Sequence, residues 1–535
     1  VGASALQNNT TASNNTAVGT SALLANTTGT ENVGIGASAG DANTTGSFNV
    51  AIGTDALTAD TEGSRSVAIG RRTLYAQNFT SATDAYNTAI GFEAGNDITT
   101  GAQNTLIGGL AGDALTTGNR NTALGYSALS SDTLGDRNVA IGNLALQTQN
   151  FTSSTDSYNT AVGYNAGGVV TTGVQNTLIG GLAGDAITVG GNNVSLGYAA
   201  LSSETQGSSS VAVGMSALSA QNSTSEANMY NTAVGRSAGA AITTGDLNTA
   251  VGALSLDACT TGANNTAVGH DALGATTTGN SNTAVGEDSL QANTTASNNT
   301  AVGRRAMFSN TTGDDNVALG HNALDANTTA SNNTAIGHDA LTANTTGDRN
   351  VALGSLALDA NTTADGNTAV GYNTLSGNTG SELNTAIGFQ ALRLYNNGSG
   401  SGYNTAVGAY AGDQLTTGIQ NTLVGGLAGD AITTASNCSA FGYNALGVNT
   451  TGASNVAIGQ FSLDANTTGG SNTAVGHNAL TGNTTADSNT AVGKDALAAN
   501  TTGAQNVALG SSAADANTEG EYLVAIGTSA LGANT

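Results

Sequence analysis

The chain has no proline and no tryptophan, only two cysteines, a single lysine (Lys494) and 9% charged residues over 535 positions. Each shortage excludes something. Disordered segments are usually rich in charge and proline, so their joint scarcity argues against a solvated tail. Two thiols far apart in sequence, Cys259 and Cys438, do not make a disulfide framework. With 11 basic residues against 36 acidic ones the net charge is −25, and the basic patches that recognise nucleic acid are missing. No apolar run approaches the ~18 residues of a membrane-spanning helix. Neither a nucleic-acid partner nor a membrane is expected for this segment.

Asn, Thr, Ala and Gly are abundant, and they are ordered by a clock. A glycine closes a TAVG-like tetrapeptide at Gly2, Gly19, Gly36, Gly53 and Gly70, and again to Gly527, 31 times in all. Of the 30 intervals, 26 are 17 residues, three are 21 and one is 20. Disorder keeps no such period, whereas stacked coils that cannot bury an apolar face alone require one. Positions are counted below from this motif glycine. Thr or Val at −3 and Val, Ile or Leu at −1 share one face of a short strand, and Ala at −2 takes the other. A second short strand is expected at +3 and +4, commonly Ala-Leu, before A-N-T-T-G turns the chain. The expected fold is an all-β, parallel β-solenoid, a two-sided β-roll of about 31 coils running as one region over residues 1–535. At ~4.8 Å per coil its length would be about 150 Å. Leu at +4 and Val or Ile at −1 are the expected core, so Asp at Leu23 or Val302 should break stacking.

A compensating swap supports stacking. Seven coils carry Gly rather than Leu at +4, and all seven carry an aliphatic residue at +7: Ile98, Leu115, Val170, Ile187, Ile242, Leu415 and Ile432. Positions +4 and +7 therefore share one interior slot. The coils at Gly36 and Gly510, with Gly40/Asn43 and Ala514/Asn517, do not follow this rule. Asn fills −4 in 26 of the 30 coils that have the position, and stacked amides at strand spacing predict a hydrogen-bonded ladder. The cysteines sit at +7 and −4, and so are expected as buried thiols.

Catalytic chemistry finds no footing. The four histidines, His270, His321, His338 and His477, all follow a motif glycine directly. His321 and His338 occupy adjacent coils, but two imidazoles with no third ligand in view do not specify a metal. The glycine-rich calcium repeat of other solenoids is absent, and no helix follows the glycines to make a phosphate loop. No enzyme activity, cofactor or metal is expected.

The expected function is display. Three 21-residue coils, beginning 72 residues apart at Gly70, Gly142 and Gly214, insert Gln77–Tyr86, Gln149–Tyr158 and Gln221–Tyr230; a looser insertion runs from Tyr395 to Tyr403. Insertions in solenoids form loops on one face. Tyr86, Tyr158, Tyr230 and Tyr403, with Tyr126 and Tyr164 at +1, are the candidate surface contacts, for glycans or other surface ligands. N-x-[ST] matches in the loops make Asn78, Asn150, Asn222 and Asn397 candidates for glycosylation, joined by turn threonines Thr27, Thr28, Thr294 and Thr311. Asn at +7, such as Asn26 and Asn293, is expected to be a ladder residue. Val1 and Thr535 fall inside repeats, so a longer chain is expected.

The V-A-I-G tetrapeptides after Asn49, Ser66, Asn138 and Asn455 resemble the head repeats of YadA-like trimeric autotransporter adhesins, and the likeness extends to nearly every coil. The period of 17 residues is longer than the family's usual one. The resemblance implies a left-handed parallel β-roll, three chains to a head, on a cell surface, and adhesion to host or surface ligands. An adhesive fibre with trimers packed through the −2 Ala face (Ala17, Ala51, Ala68) is one expectation. A filament of subunits stacked head to tail, glycosylated and extracellular, is the alternative. An ice-binding array is a third, with +8 and +9 Thr as its ranks.

Overall fold

The computed structural model describes residues 1–533. It comprises two compact units, Val1–Asn265 and Thr266–Thr535, each a stack of parallel coils. Three-residue motif strands cover −3 to −1 of every coil from the one at Gly19 onward. They run from Thr16–Val18 to Thr249–Val251 in the first unit and from Thr266–Val268 to Val524–Ile526 in the second. Neighbours pair in parallel at equivalent repeat positions, as in Thr283↔Thr300, Ala284↔Ala301 and Val285↔Val302. The described residues contain no helix. The parallel β-solenoid expected from the period is therefore present.

Close stacking explains the glycine clock. A Cβ on Gly303 would lie 2.5 Å from the Gly320 carbonyl oxygen, and the residue's φ is +133°. Both the space and the backbone conformation demand glycine there.

The second strand does not form. On that side the residues at +2 and +4 are left-handed, with φ of 59° at Ser21, 53° at Leu23 and 57° at Leu324. Coils still bond to one another there: the Leu23 N–H donates to the Ala39 carbonyl at 3.0 Å, and the Ser38 N–H to that of Thr20 at 2.9 Å. A left-handed residue with a side chain costs about 1–2 kcal/mol. Glycine at +4 escapes that cost, which is one reason the swap is open to this position and to few others.

The strand faces are the reverse of those expected. Alanine at −2 points inward and is buried throughout, as at Ala51, Ala68 and Ala301, while −1 is half-buried or exposed: Val18 is 44% exposed and Leu319 45%. The core is thus −2 Ala with +3 Ala and +4 Leu, and the −1 aliphatics lie outside it. The reason is width. A coil with one short strand opposite a turn leaves room for one large side chain, and Leu at +4 takes it. Ala17, Ala51 and Ala68 cannot form a packing face between chains, and Val302, half-buried on the outer face, is not a core residue.

Three exceptions show the same limit. Leu106, Leu178 and Leu423 replace Ala at −2, fully buried. Each lies between two +4 glycines: Leu106 Cδ atoms come within 2.8 Å of where a Cβ would stand on both Gly95 and Gly112. The +7 aliphatics fill the rest, with Ile98 Cδ1 3.0 Å from the same Gly95 position. This confirms the shared slot and accounts for the coil at Gly36. There Leu23 of the preceding coil occupies the space, its Cγ 2.8 Å from a Cβ position on Gly34 and its Cδ2 3.0 Å from that on Gly40.

Two polar ladders run beside this core. At +7, amide bonds amide from coil to coil: Asn327 Nδ2 donates to Asn310 Oδ1 at 2.8 Å, and Asn361 Nδ2 to Asn344 Oδ1 at 2.9 Å. At −4 the amides are buried too, but mostly bridge backbone. Asn32 Oδ1 accepts the Asn49 N–H at 2.9 Å while Asn32 Nδ2 donates to the Gly46 carbonyl at 2.8 Å. Most of these buried amides are partnered and avoid the desolvation penalty of an orphaned group; Asn43 Oδ1, Asn333 Nδ2 and Asn517 Oδ1 are buried without a partner. Cys259 and Cys438 are buried free thiols in ladder positions, and burial pushes the Cys259 thiol up to about 11.

Candidate interaction surface

Because −2 faces inward, −3 and −1 face out, and each unit presents a sheet of Thr/Val and Val/Ile/Leu columns one strand spacing apart. Val285, Leu319, Leu353, Ile387 and Leu509 are between 36% and 48% exposed. An apolar column of this regularity far exceeds the scattered surface hydrophobics of ordinary proteins. The outward threonines also stand in register, Thr160 beside Thr177 and Thr405 beside Thr422. The +8 threonines Thr27, Thr294 and Thr311 are half-buried, and their hydroxyls are engaged by the next coil, donating to the carbonyls of Thr44, Thr311 and Thr328 at 2.9–3.0 Å. Thr28 at +9 is exposed.

Beside the sheet of each unit runs a +1 column. Tyr126 and Tyr164 are exposed, as are Tyr198 and Tyr443. Tyr126 lies over Gly109, Tyr198 over Gly181 and Tyr443 over Gly426, each ring edge 3.6 Å from where a Cβ would stand. A doubled glycine one coil earlier was the sequence signal for these flat-lying rings. Tyr372 and Phe389 stack at 5.5 Å. In the same column the His321 and His338 rings stack at 5.3 Å, and a third group stands beside them, the carboxylate of Asp339.

The insertions are built on buried acids, which sequence reasoning missed. Asp60 at +7 replaces the ladder asparagine in the coil before the first insertion. Its Oδ1 accepts the N–H groups of Gly63 at 3.1 Å and Phe79 at 3.0 Å, and its Oδ2 accepts Gln77 Nε2 at 2.6 Å. Asn87 Nδ2 then donates to Gln77 Oε1 at 2.9 Å. Asp132 with Gln149 and Glu204 with Gln221 repeat the arrangement. Burial raises the carboxyls of Asp60 and Asp132 above the usual range. The signal was available: an acid at +7 precedes each 21-residue coil. Phe79 and Phe151 tuck beneath their loops, and Gly63–Ser64 pairs with Thr83–Asp84 as a small parallel strand.

The loop sites are divided by this anchoring. Asn150 and Asn222 are exposed, whereas Asn78 and Asn397 are half-buried. The Oδ1 atoms of Asn78, Asn150 and Asn222 accept the hydroxyls of Thr61, Thr133 and Thr205 at 2.8–3.0 Å, and Asn397 pairs with Ser381. Tyr86, Tyr158, Tyr230 and Tyr403 are all about half exposed. Arg65 lies between Phe48 and Tyr86, 5.0 and 5.7 Å from the ring centres, and Arg137 lies over Tyr158. Between the first two insertions a polar cleft is lined by Gln103, Asn119, Arg120, Asp136 and Arg137. Arg120 bonds Gln103 Oε1 at 2.9 Å.

No protein-family model matches the chain, and no curated protein matches it in sequence.

Proposed function

We propose that this chain is a structural and adhesive fibre segment, displayed outside the cell, that self-associates through the −3/−1 face of its sheet. The observation that carries this reading is the outward aliphatic column. Placing Val, Ile and Leu on the surface coil after coil wastes burial unless something covers them. A second copy with the same face is the economical cover, because its columns share the spacing. Homotrimers, as the resemblance to YadA-like heads implies, are the assembly put forward, now through −1 Val/Ile/Leu rather than −2 Ala. The insertions, Tyr126 and Tyr164 are then left free for glycans or other surface ligands, and Asn150, Asn222 and Thr28 are the most accessible of the candidate glycosylation positions. No catalytic role is assigned.

Sedimentation velocity tests this. The chain should sediment as a trimer, and Asp at Val285, Val302 and Leu319 together should lower the mass toward one chain without loss of β-structure. A parent chain that stays monomeric at micromolar concentration defeats the proposal. The in-register −3 threonines favour a second reading, an ice-binding face. Thermal hysteresis that disappears when Thr283, Thr300 and Thr334 become Lys would support it over self-association.

A further inference from the structure

We propose that His321, His338 and Asp339 form a site for a borderline-soft divalent cation of the Zn²⁺ class. One ligand atom from each residue lies within 4.8 Å of the other two. The rings belong to adjacent coils and stack with an interplanar angle of 14°. Asn322 Nδ2 donates to Asp339 Oδ1 at 3.0 Å, which fixes that carboxylate and leaves Oδ2, 2.9 Å from His338 Nδ1.

A stacked histidine pair is by itself an ordinary contact between neighbouring coils. Two observations are left over by that explanation. His321 Nδ1 is buried and has no hydrogen-bond partner, so the protein does not hold the ring on that side. The Asp339 carboxylate beside the pair is held by its other oxygen, with Oδ2 turned to the imidazole. Imidazole, imidazole and carboxylate is a donor set suited to Zn²⁺, with metal–ligand distances of about 2.0–2.2 Å. Ligand atoms meeting on one ion stand about 3.5 Å apart at that bond length, so the widest-spaced pair must close by roughly 1 Å while Asp339 Oδ2 and His338 Nδ1 must open by about half that. The His338 side chain, 60% exposed, has the freedom to do this, and Asp339 at 23% does not need to move far. Arg304 opposes the site: its Nη1 lies 3.4 Å from His321 Nε2, where it adds positive charge and occupies a ring nitrogen. The ion would clamp two coils together and keep an open position toward solvent.

The test is titration of the full chain with Zn²⁺ alone, read by calorimetry and by thermal melting. One equivalent should bind and raise the melting temperature, since the unfolded chain does not assemble the three donors. His338→Ala should weaken binding about tenfold or more, and Arg304→Gln should tighten it several-fold. His270→Ala and His477→Ala, on the same column, should leave it unchanged. The variants lie on the surface and should fold, which melting of the apo chains checks. Unchanged affinity in the His321→Ala/His338→Ala double variant overturns the proposal, and so does equal competition from Ca²⁺, which marks diffuse carboxylate binding.

Discussion

The coils from Gly286 to Gly371 and the glycine-swapped coils at Gly91, Gly108, Gly163 and Gly180 enclose their interiors by different means. In the former, Leu or Met at +4 fills the slot, −2 is Ala, and an unbroken amide ladder runs from Asn293 to Asn378. In the latter, +4 is Gly, an aliphatic side chain enters from +7, and Leu106 or Leu178 reaches across from −2. The first gains hydrogen bonds but holds a large residue in a left-handed backbone. The second relieves that strain and loses the ladder. What is constant is volume and backbone register, so the coil's dimensions select the side chains.

The comparison can be broken at its tightest points. The largest effect is expected from Leu106→Ala, which removes the side chain packed between Gly95 and Gly112 and leaves a cavity beside Ile98 and Leu115. A loss of about 2–5 kcal/mol is predicted, measured by chemical denaturation. The reverse error, Ala335→Leu, forces a second large group between Leu324 and Leu341 and should cost about 1–3 kcal/mol. Adding Leu324→Gly and Leu341→Gly should recover part of that, because it copies the surroundings of Leu106. Asn344→Ala takes one rung from the ladder, leaves Asn327 Oδ1 and Asn361 Nδ2 each short of a partner, and should cost about 1–3 kcal/mol.

The smallest effect is electrostatic and has a definite sign. Burial, with the nearby charges of Asp97 and Glu93, raises the Asp113 carboxyl from 3.8 to about 6. The folded chain therefore binds a proton more readily than the unfolded one between those values. That stabilising contribution is full below the unfolded pKa and is lost as pH rises through about 6. Melting temperature should rise modestly on acidification from pH 7 toward 4.5, and Asp113→Asn should flatten the rise. The net charge of −25 acts in the same direction, since acidification relieves self-repulsion.

The sequence carried the period, the stacking, the buried thiols and the shared slot of +4 and +7, because each is a statement about repetition or conserved volume. It did not carry which strand face is inside. Alternation separates Ala68 from Val67 and Ile69, and the usual preference for burying the larger residues then chose wrongly. The deciding quantity, the width left opposite a turn containing Leu74, exists only once coils have closed. The second strand failed for a related reason: Ala-Leu is compatible with a strand, and nothing local announces left-handed backbone at both +2 and +4. The +7 acids under the insertions were visible as a departure from Asn at Asp60, Asp132 and Glu204, but their role needed Gln77 and its equivalents to be placed one coil away. At the histidines the sequence supplied the pair, and only the structure supplied Asp339.

Everything proposed about association depends on the direction of the motif strand. Thiol labelling of single cysteines in one strand tests it directly, because Cys259 and Cys438 are buried and give a low background. Ala301→Cys and Val302→Cys are compared in folded protein, diluted until it sediments as single chains. Rapid modification at 302 with protection at 301 is the predicted result; protection at 302 with rapid modification at 301 would contradict the account.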